Sequence, residues 1–218
     1  MSLAEFHRIF PDSIQWRVTP LGVEIENQGL VVVSSAVQKR AALYLQNYGA
    51  AYAAASAEFK VPIELLIACS LTEAAVVDPE NCCRQEPGYI SDEKSPDRVS
   101  AGFCQLLIST ARDVMKDPKI DRKWLCSVSN SLRACAAYIK KQSGKTNFDP
   151  VCVACAYNSG GLYKNDNPKN RWRLRQYPIG TSHHADRFVE NFNAALGVAT
   201  GKAMDGIECV RYSSLLAN

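Results

Sequence analysis

From Val37 to Phe59, apolar residues return at steps of three and four: Val37, Ala41, Tyr44, Leu45, Tyr48, Tyr52, Ala55 and Phe59. On a helix of 3.6 residues per turn that spacing makes one apolar stripe, and such a stripe must be buried against other elements. The same period recurs downstream. Pro62 opens a second helix at a position where its missing N–H costs little. A third is expected after Gly102, through Leu106, Leu107, Ala111 and Val114. A fourth carries Val128, Leu132, Ala136 and Ile139 on one face and is expected to end at Gly144. A fifth runs from Val151 to Tyr157 and stops at Asn158-Ser159-Gly160-Gly161. The last shows Ala185, Phe188, Val189, Phe192 and Leu196, with Gly197 as its stop. Two long polar stretches, 78–100 and 162–182, interrupt the helices, and loops of that length inside a compact domain are usually functional.

The first 35 residues follow a different rule. Val23 and Ile25 alternate with polar residues, Asn27-Gln28-Gly29 supplies turn chemistry, and Leu30 to Val33 is rich in valine, so a hairpin or edge ribbon is expected. The fold class read from these patterns is mainly α (α+β): a helical domain with a small N-terminal β-hairpin. The chain divides into an N-terminal extension (1–35), a main domain (36–200) and a C-terminal tail (201–218) with little pattern. At 218 residues, 47% apolar and 22% charged, the composition is that of a globular domain and excludes disordered and fibrous classes. No stretch approaches the apolar length of a membrane span. A net charge of +3 is too small for a nucleic-acid footprint. Met1 to His7 lacks a basic region followed by an apolar one, so synthesis in the cytoplasm without a signal peptide is expected.

Glu73 is the first candidate for chemistry. It lies at the border of the core-facing side of the second helix, at the helix C-terminus, where the macrodipole disfavours a carboxylate. Partial burial and that dipole both raise its pKa, as a general acid near neutral pH requires. A surface glutamate ending a helix would read the same way. Two further segments add weight: Ser100-Ala101-Gly102-Phe103-Cys104-Gln105 after the first long loop, and Ala156-Tyr157-Asn158-Ser159-Gly160 at the end of the fifth helix.

Together these segments resemble the goose-type lysozyme and soluble lytic transglycosylase superfamily over about residues 36–197. Val61-Pro62-Ile63-Glu64-Leu65-Leu66-Ile67-Ala68, leading to Glu73, resembles the family's Val-Pro-x-Glu-Leu-Leu-x-Ala helix that ends in its catalytic glutamate. Gly102-Phe103-Cys104-Gln105 with Thr110-Ala111 resembles its Gly-Leu-Met-Gln motif, Asn130 to Tyr138-Ile139 its Asn-rich helix start, and Ala156 to Gly160 its Ala-Tyr-Asn-Ala-Gly motif. The resemblance implies a lysozyme-like helical domain, a peptidoglycan glycan strand as substrate and no cofactor. Glu73 would be the catalytic acid, with Gln105, Tyr157 and Asn158 lining the sugar groove. Three departures stand out. Ala74 replaces the serine that usually follows the glutamate, Cys104 replaces methionine, and the loop between Glu73 and Gly102 is longer and contains Cys82-Cys83.

Two chemistries remain open at this point. The lytic one needs Glu73 alone. A hydrolytic one needs a second carboxylate to position water, roughly 6.5–9.5 Å away in an inverting enzyme. Asp78, Glu80, Glu86, Asp92, Glu93 and Asp97 are the candidates, with Asp97 the first choice; a solvated acidic loop is the plain alternative. Trp172, with Arg171, Arg173 and Arg175, is a candidate wall that stacks on sugar and meets peptide carboxylates. Cys152-x-x-Cys155 could instead hold zinc with Cys82, Cys83 or His183-His184, although such pairs usually sit in turns. A binding module without catalysis is the third class. Nine cysteines are an odd number, and one of Cys82 and Cys83 could bond a third cysteine and pin the long loop. A phage endolysin and a delivered antibacterial effector both fit a wall enzyme made in the cytoplasm. The effector implies a cognate immunity protein, and the N-terminal ribbon is a candidate dock for secretion or phage components.

Overall fold

The structure is a computed structural model, and it describes residues 8, 11, 13–74, 81–83, 87–200, 204 and 208–217. Its first helix, α1, spans Ser35–Phe59. Ser34 caps it by accepting the Val37 N–H, and Lys60 ends it in the left-handed conformation. The stripe predicted from the spacing is the buried face, with Tyr44, Tyr52 and Ala55 wholly inside. α2, Ile63–Glu73, follows at once behind Pro62. Every residue from Ile63 to Thr72 is buried. A helix buried on all sides has to occupy the centre of its domain, and α2 is packed by α1, by α5 (Val128–Thr146) and by α7 (His183–Val198).

The N-terminal ribbon is a three-stranded antiparallel meander of β1 (Trp16–Thr19), β2 (Gly22–Ile25) and β3 (Gly29–Leu30). Trp16 pairs with Ile25 and Glu24 with Leu30. Period-two alternation puts Val23 and Ile25 inward, into the same core as the helices. Asn193 of α7 ties the ribbon down, accepting the Val23 N–H at 2.8 Å and donating to the Val31 carbonyl at 2.9 Å.

The segment after Gly102 departs from expectation. Instead of a helix, Ser100–Ala101 (β4) and Leu106–Leu107 (β5) form a two-stranded turn, and α3 starts only at Ile108 and runs to Met115. The cause is local. Gly102 has φ +77° and Gln105 φ +47°, and the Gln105 N–H closes the turn on the Gly102 carbonyl at 3.1 Å. A Cβ at position 102 would lie 2.0 Å from the Leu125 carbonyl oxygen, so only glycine fits there. α4 (Arg122–Leu125) is capped by Asp121, and α6 (Pro150–Ser159) by Asp149 with Gly160 beyond it. Two expected stops are passed. α5 continues through Gly144 to a left-handed Asn147, and Gly197 lies inside α7, where its lack of a side chain lets Gln38 approach.

The segment 208–217 is docked, and ends in the short helix α8 (Ser213–Leu216). The Val210 carbonyl accepts the Ile63 N–H at 2.9 Å. Arg211 Nε and the Tyr212 N–H both donate to the wholly buried Glu64 carboxylate, at 2.8 and 2.9 Å. Residues 208–217 carry no helical period because the attachment rests on backbone groups, on Arg211 and on the buried Tyr212, whose ring meets Phe192 at 4.8 Å. Cys83 is disulfide-bonded to Cys126, at the end of α4, and the other seven cysteines remain thiols. The Cys82-Cys83 segment is therefore anchored by the second of the pair. Among the described residues no helix is long and apolar enough to cross a membrane.

Arg211→Ala should lower the unfolding free energy by about 2–4 kcal/mol, because it leaves a buried carboxylate short of a charged partner; urea denaturation checks this. Under denaturing conditions without reductant, the described disulfide leaves seven reactive thiols of nine, which thiol titration counts.

Candidate active site

The central position of α2 delivers its last residue, Glu73, to a cleft of about 430 Å³. Ser100, Gln105, Leu106 and Leu107 from the β4–β5 turn form one side. Thr110 and Tyr138 come from α3 and α5. Tyr157, Asn158, Ser159 and Gly160 at the end of α6, with Tyr177, form the other. The four motif segments, distant in sequence, thus meet around one carboxyl group.

Only 17% of the Glu73 side chain is exposed. Burial raises its pKa to about 8, with Arg187 opposing and Cys135 adding slightly. At neutral pH the carboxyl is therefore mostly protonated, the state that can give a proton to a leaving oxygen. Across from it on α7 is His184, 3% exposed, with Nε2 3.5 Å from Glu73 Oε1. Burial, helped by Arg187, lowers the His184 pKa to about 4. Between those two values both groups are uncharged, so the contact is not an ion pair at neutral pH. Nε2 makes no hydrogen bond of normal geometry.

Gln105, Tyr157 and Asn158 all line this cleft. The Gln105 carboxamide donates to the Gly102 carbonyl at 2.7 Å and the Cys82 carbonyl at 3.1 Å, and accepts from Ser100 Oγ at 3.0 Å. It holds the turn in shape and joins it to the disulfide-anchored segment. Tyr157 donates its hydroxyl to the Cys104 carbonyl at 2.8 Å, bracing α6 against the same turn. Asn158 Oδ1 accepts the Tyr177 N–H, which fixes the second long loop at the cleft edge.

Two candidates lie elsewhere. Trp172 is 0% exposed. Its Nε1–H donates to Asp186 at 2.8 Å, and its ring meets the edge of Trp16 at 5.4 Å. Both faces are taken by protein, so the sugar-stacking wall expected of it is not formed by Trp172. The exposed aromatic at the cleft is Tyr177, with Tyr163 further along the loop beneath Arg175 at 4.2 Å. Arg171 stacks on Trp172 and pairs with Asp186 at 2.7 Å. Asp97 is exposed in the turn before β4 and does not line the cleft. Asp92 is engaged by the Tyr89 hydroxyl and the Arg122 N–H, while Glu93 is exposed. Asp78, Glu80 and Glu86 lie outside the described residues. Cys152 and Cys155 are buried in α6, and among the described residues no group of three His, Cys, Asp or Glu is arranged for a metal ion.

His184 appeared in the sequence only as a partner for the cysteine alternative. Its place beside Glu73 carried no local signal, because 111 residues separate them and only the packing of α7 on α2 joins them.

A carboxyl whose pKa is raised on folding makes the native state bind a proton that the unfolded chain releases. Its contribution is thus present below the ordinary glutamate value of 4.5 and is lost as pH climbs to about 8. Glu73→Gln should therefore exceed the wild type in unfolding free energy at pH 8, by up to about a few kcal/mol, with the gain shrinking towards pH 5. Thermal unfolding at both pH values measures it.

Residues 52–178 match the transglycosylase SLT domain. That span covers more than half of the chain and contains Glu73, the turn from Gly102 to Gln105, Tyr157 and Asn158. No curated protein and no solved structure matches the chain. A buried carboxyl at a helix end, opening on a cleft built from these segments, is thereby given its setting, and the chain belongs to the transglycosylase SLT family of the lysozyme-like superfamily, with a lytic transglycosylase-type, peptidoglycan-cleaving function.

Proposed function

We propose that the protein is a lytic transglycosylase that uses Glu73 as its single catalytic residue to cleave the β-1,4 bond between N-acetylmuramic acid and N-acetylglucosamine. The observation that carries this reading is a mostly protonated carboxyl, the sole carboxyl among the described residues lining the cleft. Glu73 gives its proton to the glycosidic oxygen as the C1–O bond breaks. The resulting carboxylate then takes the proton of the muramic acid C6 hydroxyl while O6 bonds to C1, closing a 1,6-anhydro ring. The cycle returns Glu73 to its starting form and consumes no water. Burial supports both halves: it keeps the acid protonated before the first step and makes the carboxylate a stronger base for the second.

In this reading Gln105, Tyr157 and Asn158 shape the sugar groove, and Tyr177 offers its exposed ring to a sugar face. The hydrolytic alternative through Asp97 has no support from its exposed position away from the cleft. Cleavage of glycan strands suits both a phage endolysin and a delivered antibacterial effector. In the second case a cognate immunity protein would act by filling the cleft and covering Glu73.

Mass spectrometry of digested peptidoglycan tests the chemistry directly: anhydro-muropeptides are expected, and products heavier by one water overturn the lytic reading. Glu73→Gln should lose about 10²–10⁴-fold in activity, while Asp97→Asn retains it. Wild-type activity should fall as pH rises through about 8, because the acid is then deprotonated.

A further inference from the structure

A carboxyl that serves first as acid and then as base must present one oxygen to the substrate while something fixes the other. The serine usual after the glutamate in this family is Ala74 here, whose side chain has no donor and whose N–H is committed to the Ser70 carbonyl at 2.8 Å. The titratable groups facing Glu73 come from five places: Cys69 on α2 itself, Cys104 in the β4–β5 turn, Cys135 on α5, Tyr157 on α6, and His184 with Arg187 on α7. Thiols are weak donors. The Tyr157 hydroxyl is committed to the Cys104 carbonyl. Arg187 is exposed. His184 Nε2 is wholly buried, lacks a hydrogen bond of normal geometry and lies 3.5 Å from Glu73 Oε1.

The frame around this imidazole is rigid. The next residue, Ala185, donates its N–H to the buried Gln176 side chain at 2.8 Å. Asp186 is held by Arg171, Trp172 and Ser182. Two turns along α7, Asn191 donates to Thr72 Oγ1 at 2.9 Å, one residue before Glu73. The helix carrying His184 is thus locked to the end of the helix carrying Glu73.

We propose that His184 is the positioning residue for Glu73: its Nε2–H holds Oε1 within the protein, so that Oε2 carries the transferred proton toward the cleft. The contact is long in the resting structure, as catalytic hydrogen bonds often are before substrate binds. It strengthens as the proton leaves and Oε1 gains charge, because a donor to an ionised acceptor forms a shorter, stronger bond. No proton moves to or from the imidazole, and it stays neutral over the working range. The inference rests on the acid–base role given to Glu73 above.

The test compares His184→Leu, His184→Gln and His184→Asn in the full chain. Glutamine places an amide nitrogen near the position of Nε2; asparagine falls short of it. Two readouts are used: the titration of the Glu73 carboxyl by carbon-detected NMR, which needs no substrate, and kcat and KM on peptidoglycan against pH. In the Leu variant, loss of a donor to the charged form should move the Glu73 midpoint up by about one pH unit. Its kcat should fall about tenfold or more, with KM within about twofold, a smaller loss than the 10²–10³ for a donor to a reacting oxyanion. Glutamine should restore most of both values, and asparagine little. A Leu variant with unchanged titration and kcat overturns the proposal, as does a Gln variant no better than Asn, which also decides the matter if the Leu variant does not fold. Should the wild type show no activity on peptidoglycan, the proposed function fails, and the titration alone still judges the His184–Glu73 contact.

Discussion

Everything in this fold answers to the burial of α2. A helix with no solvent side must be enclosed, and α1, α5, α7 and the segment 208–212 supply the enclosure. It carries a carboxyl near each end. Glu64 receives an arginine and a backbone N–H. Glu73 receives neither, only a neutral imidazole at 3.5 Å and the charge of Arg187, which opposes the effect of burial. Two glutamates nine residues apart on one buried helix thus have opposite settings, one fully partnered and one opening on a cleft, and the difference lies wholly in what the surrounding chain offers them.

The cost of leaving Glu73 poorly partnered is a standing destabilisation at neutral pH, which the core has to offset. The core does so with a continuous apolar cluster that runs from the ribbon through all the long helices. Asp149 shows how closely the parts are joined: one oxygen caps α6 and the other accepts the Trp16 indole N–H at 3.0 Å. The ribbon, read as an extension, shares the core of the helical body.

Much of this was legible in the sequence because helical period and cap chemistry are local. The positions of α1, α2, α6 and α7 followed from apolar spacing, Pro62 and the glycines after Asn158. The place of Glu73 at the end of its helix was legible from the apolar spacing together with the ordered motifs. What could not be read were matters of tertiary contact. The stretch after Gly102 has helical spacing but two left-handed residues, and Gly102 is required by a carbonyl in α4 that no local pattern reveals. Trp172, in an arginine-rich loop, looks like a surface residue until Trp16, 156 residues earlier, closes over it. His184 has no meaning until α7 packs on α2.

The docking of Arg211 and Tyr212 onto Glu64 spans 147 and 148 residues of chain. During synthesis, from the amino to the carboxyl end, the start of α2 therefore waits uncovered until Arg211 and Tyr212 have left the ribosome. Loop closure over so long a distance is slow compared with helix formation. α2 can form as soon as it is made, but its first turn is enclosed only once residues 211 and 212 follow, and a shorter nascent chain holds Glu64 without either partner.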